Sequence, residues 1–250
     1  MEFEWIYGIQ PVLQVLRAHR RKAKELLLYR TQEKTEIQEV IALARKQGVM
    51  VRILEKNSFP VLPTGVLHQG LALKTASYSY LPIEDLYSHC KKSPQSLLLI
   101  LDQIQDPQNL GAILRTAHCA GVNGVILPER GGALLNPTVM KASAGAAEWL
   151  SIYLVKNIAR TLEELKEISM WIYGAEGAAQ KSYDEEKYPF KTALVMGSEG
   201  KGLRHLIKEK CDLLISIPLL GRISSLNVSV ATGVLLYEVL RQRKNKAKSP

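Results

Sequence analysis

Apolar and polar positions alternate along this chain in two separate blocks, each passing in turn through strand-like and helix-like stretches. In the first block, residues 11–18 carry helical spacing, 25–29 read as a strand, 36–47 as a helix and 49–54 as a strand. Gly48 stands where the second helix must end. Residues 71–73 form a last short strand after the loop GVLHQG. Periodicity is then lost over 75–95, TASYSYLPIEDLYSHCKKSPQ, which predicts a linker with only a short helix at 83–87. From Ser96 the rhythm restarts. Strands are expected at 97–101, 124–127, 151–155, 171–173, 193–196 and 213–217, and helices at 107–120, 137–147, 161–168, 202–210 and 225–243. Such alternation predicts an α/β fold with a mostly parallel sheet covered on both faces. The domain plan is 1–75, a linker at 76–95, and 96–250, with ample core for 250 residues.

Three segments of the second block carry candidate chemistry. In DQIQDPQNLGAILRTAHCAG (102–121), a strand end and a polar turn lead into a helix, with Asp106 as N-cap and Pro107 at the first helical position. Leu110, Ile113, Leu114 and Ala117 make its core stripe. Arg115 points off that stripe beside Gly111, where a large polar ligand can approach, and Asn109 sits in the first turn. In ALVMGSEGKGL (193–203), Gly197, Gly200 and Gly202 surround Glu199. Three glycines around one acid suit a ligand lying close to backbone. The spacing is not that of a Walker A loop, and no dinucleotide fingerprint follows the first strand. In ISIPLLGRISSLNVSVA (215–231), Ser224 or Ser225 suits the N-cap of the last helix. Asn227, at the start of an apolar helix, must be hydrogen-bonded or face a site.

The net charge of +9 points to a polyanionic partner. Residues 96–240 carry 14 Lys and Arg against 15 Asp and Glu, while 1–95 carry 14 against 9. The remaining excess is in the tail RQRKNKAKSP, and Arg17, Arg20, Arg21, Lys22 and Lys24 form a basic run. RNA contact is therefore expected at the two ends. Cys90, Cys119 and Cys211 have neither metal-ligand nor disulfide spacing and read as free thiols in a reducing compartment; no metal is expected. No apolar run reaches bilayer length, and MEFEWIYG resembles neither a signal nor a transit peptide, so a cytoplasmic location is expected, without a membrane.

The three segments, in this order, resemble the three motifs of the SpoU branch of the SPOUT superfamily, over about residues 97–243. YGIQPV and HQGLAL also resemble the ribosomal-protein-like RNA-binding domain of one SpoU subgroup, over about 5–75. That resemblance implies a deep trefoil knot, S-adenosylmethionine as cofactor and a homodimer paired through the C-terminal domain. It also implies methylation of a ribose 2′-hydroxyl, in this subgroup on a guanosine of large-subunit ribosomal RNA. Transfer RNA is the alternative substrate within the branch, a resistance-type enzyme acting at another ribosomal site a further one, and a catalytically silent RNA-binding protein the alternative outside it. The motif match assigns Gly197, Ile217 and Leu226 to the cofactor, and Asn109, Arg115, Glu199, Ser225 and Asn227 to the catalytic site. In the family Arg115 is the proposed base. Because arginine stays protonated, binding a phosphate and stabilising the developing alkoxide is the more conservative role.

Overall fold

The computed structural model describes residues 2–29, 35–55 and 68–246. The chain forms two compact units, Met1–Ser79 with Leu135–Trp149, and Tyr80–Leu134 with Leu150–Pro250.

The first unit contains β1 (Phe3–Tyr7), α1 (Ile9–Ala18), β2 (Ala23–Tyr29), α2 (Thr35–Lys46), β3 (Met50–Leu54) and β4 (Leu71–Ala76). Its sheet runs β1-β4-β2-β3, with β4 antiparallel to both neighbours and β2 parallel to β3. Ile6, Val12, Leu16, Leu26, Ile37, Val40 and Leu73 are among its buried apolar side chains. The two stretches that resembled the RNA-binding domain meet here. The Gly8 N–H donates to the Leu71 carbonyl, and the Ile9 N–H donates to Gln69 Oε1 at 3.0 Å, satisfying an open donor at the start of α1. Gly8 has φ +90°, a conformation that favours glycine. Residues 65–67 of the loop GVLHQG lie outside the described residues.

The second unit holds α3 (Ile83–Lys92), β5 (Ser96–Leu101), α4 (Pro107–Cys119), β6 (Gly124–Pro128), β7 (Ile152–Val155), α6 (Ile158–Glu167), β8 (Trp171–Ala175), β9 (Lys181–Ser182), β10 (Lys191–Met196), α7 (His205–Lys210), β11 (Leu213–Ser216) and α8 (Val228–Lys246). Every pairing in its seven-stranded sheet, β7-β6-β5-β10-β8-β11-β9, is parallel. All six residues of β5 are buried, as a central parallel strand requires.

Two parts of the domain plan change. The expected linker holds α3, which runs to Lys92 and buries Leu86 and Cys90 fully in the core of the second unit. Ile83, Leu86, Tyr87 and Cys90 are spaced as one helical stripe, so the helix does not stop at residue 87. The expected helix at 137–147 is shorter: α5 (Pro137–Ala142), capped by Asn136, then a 3₁₀ turn at Ala146–Trp149, both within the first unit. Gly145, at φ +83°, lies between them. The buried Glu148 side chain pairs with Arg21, which also reaches Glu4 at 2.6 Å. Burial pushes the Glu148 carboxyl up, against the opposing pull of Arg21.

Candidate functional site

In the second unit the chain builds outward from β5 through β6 to β7, then returns to the other side of β5 for β10, β8 and β11. β5 and β10 are therefore where the strand order switches, and the loops after them open a crevice at the carboxyl ends of the strands. Ligands of open α/β sheets bind at such a point. A cleft of about 390 Å³ lies there, within the roughly 300–1,000 Å³ of small-molecule pockets. Ile215, Ile217, Leu219 and Leu226 give it apolar walls, and the loop 197–202 supplies backbone polar groups.

That loop closes on itself: the Ser198 N–H donates to the Gly202 carbonyl at 3.1 Å and the Gly202 N–H to the Ser198 carbonyl at 2.9 Å. A Cβ at Gly197 would stand 2.2–2.4 Å from backbone atoms of Gly202 and Leu203. Gly197 thus serves the closure of the loop as well as lining the cleft. Gly200 and Gly202 have φ +83° and +65°. All three residues assigned to the cofactor, Gly197, Ile217 and Leu226, line this one cleft, with Glu199 and Ser225. The segment Glu176-Gly177-Ala178 after β8 lines it too. Sequence reading missed that segment, although its glycine directly after a strand was a usable sign.

At the rim, three distant motifs meet. Asn109 Nδ2 donates to Glu199 Oε2 at 3.0 Å. Asn227 Nδ2 donates to Asn109 Oδ1 at 2.9 Å and to Glu199 Oε1 at 3.4 Å. Both oxygens of Glu199 are thereby engaged by amide donors, while its side chain stays open to solvent. Asn227 has a second role. Its Oδ1 accepts from the Ser229 N–H at 3.0 Å and the Ser229 hydroxyl at 2.5 Å, so Asn227, and neither Ser224 nor Ser225, caps the last helix. Asparagine is as good an N-cap as serine, and its use lets 217–227 remain as cleft wall before the helix begins. Ser225 lines the cleft without joining the cluster.

Arg115 is exposed on α4, bonded to none of the described residues. It lies about 120° around the helix from Asn109 at 100° per residue. Geometry within one chain therefore gathers Asn109, Glu199 and Asn227 and leaves Arg115 apart.

Beneath the loops, Asp102 at the end of β5 is wholly buried. It accepts from Arg204 Nε at 3.0 Å and pairs with Nη2 at 2.7 Å. This forked, charge-assisted contact fastens the loop after β10 to the loop after β5. Among the described residues, no group of three His, Cys, Asp or Glu is placed to hold a metal ion.

An all-parallel sheet, an apolar-walled cleft at its switch point and a carboxylate held between two amides define an α/β protein built to bring a small ligand against a polar substrate. The profile of the SpoU rRNA Methylase family matches residues 96–237, and that described as RNA 2′-O ribose methyltransferase substrate binding matches 5–81. The chain belongs to the SpoU rRNA methylase family. It is 41% identical to the putative TrmH family tRNA/rRNA methyltransferase YacO of Bacillus subtilis, over 97% of each chain. It is 40% identical to the 23S rRNA (guanosine-2′-O-)-methyltransferase RlmB of Escherichia coli, over 96% of this chain and 99% of that one. Among solved structures, the AdoMet-bound rRNA methyltransferase of Sinorhizobium meliloti superposes with a TM-score of 0.77 at 25% identity, covering 96% of this chain and 87% of its own.

Proposed function

We propose that this protein transfers a methyl group from S-adenosylmethionine to the ribose 2′-hydroxyl of a guanosine in large-subunit ribosomal RNA. The observation that carries this reading is the Asn109–Glu199–Asn227 cluster on the rim of the glycine-loop cleft. The cofactor suits the cleft: Ile215, Ile217, Leu219 and Leu226 would take its apolar parts, the loop 197–202 its polar edges, and the lining carboxylates Glu176 and Glu199 would offset its positive charge. When bound, it supplies an electrophilic methyl group.

The protein's own task is orientation and charge control. Asn109 and Asn227 fix the Glu199 carboxylate, which with Ser225 positions the nucleotide at the cleft mouth. Arg115 holds a phosphate of the substrate and stabilises oxyanion character as the hydroxyl proton passes to solvent and its oxygen takes the methyl group. Near-attack geometry supplies much of the rate.

Family membership supports a knotted C-terminal region, with α8 packed on α4 and β10. It also supports a homodimer, in which Arg115 serves a site shared with the partner. Leu220 and Ile223 in the loop before α8, and Val230 and Tyr237 on it, are exposed apolar side chains that a partner would cover. A cytoplasmic place of work agrees with the substrate, and no described helix is long and apolar enough to cross a membrane.

Mapping of ribose methylation in ribosomal and transfer RNA from a deletion strain tests the assignment. The expected result is loss at one guanosine of the large-subunit RNA, with transfer RNA unchanged. Loss confined to transfer RNA would establish the alternative that YacO's name leaves open. Light scattering at micromolar concentration tests the dimer, and an active monomer would reject it.

A further inference from the structure

Beside the cofactor cleft, on the same end of the sheet, lies a second cleft of about 520 Å³. Its wall comes from the segments after β6 and β7, tied together by the Glu129 N–H on the Val155 carbonyl, and from the start of α7. Glu129, Arg130, Lys156, Asn157, Arg204 and Leu206 face it. Three cations thus stand against Glu129 and the buried Asp102, which pairs with Arg204. Arg130 and Lys156 are exposed and bonded by side chain to none of the described residues. Arg204 differs from an ordinary surface arginine. The buried Asp102 clamps its Nε and Nη2, leaving Nη1 free and the guanidinium fixed in place.

The two clefts flank a single loop. Residues 197–202 line the first, and residues 204 and 206 line the second. From Lys201 to Arg204 is three residues, at most about 11 Å of chain. The second cleft is therefore within reach of the backbone adjoining a ribose placed at the first.

We infer that this second cleft is a phosphate-binding subsite that grips the RNA strand next to the methylated nucleotide. The inference rests on the RNA methyltransferase reading of the first cleft. The free Nη1 of a preset arginine, with two exposed cations beside it, matches a phosphodiester, whose oxygens take charge-assisted hydrogen bonds from guanidinium and ammonium groups. Contacts of this kind fix register and carry no base information. The subsite would hold the strand in place while the cluster at the first cleft orients the ribose.

The test uses the full-length protein and a transcript of large-subunit ribosomal RNA, with R130A/K156A and E129Q as variants. Binding is measured across a salt series, together with methyl-transfer kinetics. Loss of two phosphate contacts should reduce the slope of log affinity against log salt by about 1.4, at about 0.7 per contact on single strands. KM for RNA should rise about tenfold or more, with kcat and S-adenosylmethionine affinity unchanged. E129Q should move the other way and tighten RNA binding several-fold, which a merely structural role for this cleft would not do. An unchanged salt slope in R130A/K156A, or weaker binding in E129Q, overturns the subsite. Loss of cofactor affinity in R130A/K156A overturns it as well, by making the cleft a structural support of the first. Salt-dependent binding needs no turnover. Failure of the wild-type protein to methylate the transcript would therefore count against the function and leave the subsite to be judged by binding.

Discussion

Asn227 joins two jobs that substitution can separate. Its Oδ1 caps α8 through Ser229, and its Nδ2 donates to Asn109 and Glu199. Asn227→Ala removes both. The lost cap costs about 1 kcal/mol, within roughly 0.5–2. For a chain of this size that lowers the melting temperature by about 2–4 °C. Asn227→Ser keeps a capping oxygen and deletes only the amide donors. The donor bonds lie at an exposed rim, and the one to Glu199 is long at 3.4 Å. Their share of folding stability is accordingly small, below about 1 kcal/mol. Their share of the reaction is larger, because they order both Asn109 and Glu199. A loss of about 1.4–2.8 kcal/mol of transition-state positioning is ten- to hundredfold in rate.

Asn227→Ser should therefore melt closer to wild type than Asn227→Ala does yet methylate as poorly. Asn227→Asp should also keep the cap and be slower still, since a second carboxylate faces Glu199. Thermal denaturation and single-turnover methyl transfer, at saturating cofactor, measure the two effects separately. Near-wild-type transfer by the serine variant would refute a working role for the cluster and reduce Asn227 to a helix cap. A melting loss in the serine variant equal to that in alanine would refute the cap.

Arg115→Ala should lower methyl transfer by about 10²–10³ with calorimetric cofactor affinity preserved, and Arg115→Lys should not restore it, because the fork is lost. Substantial activity in the alanine variant removes Arg115 from the site. Gly197→Ala should destabilise the fold and abolish cofactor binding together, since its Cβ meets the Gly202 backbone. Gly200→Ala, with open space but φ +83°, should cost only about 1–2 kcal/mol; a Gly197→Ala protein as stable as wild type would show that the close approach is wrong. Burial pushes the Cys211 thiol up to about 12 and raises that of Cys90. Both should resist a thiol reagent at pH 8 in the native protein, because the thiolate is the nucleophile, and react once the chain is unfolded. Rapid native labelling at either position by peptide mapping would contradict their burial.

The parallel sheet was legible because its strands are short, continuous apolar runs such as SLLLIL, bounded by turns. Helix ends were not. Side-chain capping chose Asn227 over the serines before it, a choice between good caps that local sequence leaves open. β1 went unassigned although Ile6 is fully buried, because two acids and a terminal position hide a strand that its antiparallel partner β4 completes. β9, only two residues long, carries no period at all. The site was legible through resemblance. Asn109 and Asn227 are 118 positions apart, and nothing in periodicity announces that their amides meet over Glu199. The glycine at 177 hinted at a loop, but that Glu176 lines the same cleft depends on β8 lying beside β10.

Charge is where sequence and structure part most. Counting by segment put the RNA-facing cations at the two ends. Yet Arg21 of the basic run is buried against Glu4 and Glu148, and Arg17 pairs with Glu39. In the tail, Arg241 pairs with Glu238, and Arg243 donates to the carbonyls of Ser96 and Phe190; burial depresses its ionisation. The tail beyond Lys246 lies outside the described residues. Arg21 and Arg243 thus serve the fold, while Lys22 and Lys24 of the run stay exposed. Within 96–240, where the formal balance is −1, Arg115, Arg130, Lys156 and Lys201 are exposed and pair with no acid among the described residues. The acids of that segment explain the difference, because many of them serve local pairs such as Arg160–Glu164, Lys208–Glu176 and Lys210–Glu163. A near-zero sum therefore conceals unpaired cations, two of them in the cleft beside the cofactor site. An anionic strand responds to the charges it meets within about a Debye length, roughly 8 Å at physiological salt, and not to the balance of a whole segment. The middle of the chain thus offers exposed cations of its own, in addition to the substrate-binding match over residues 5–81.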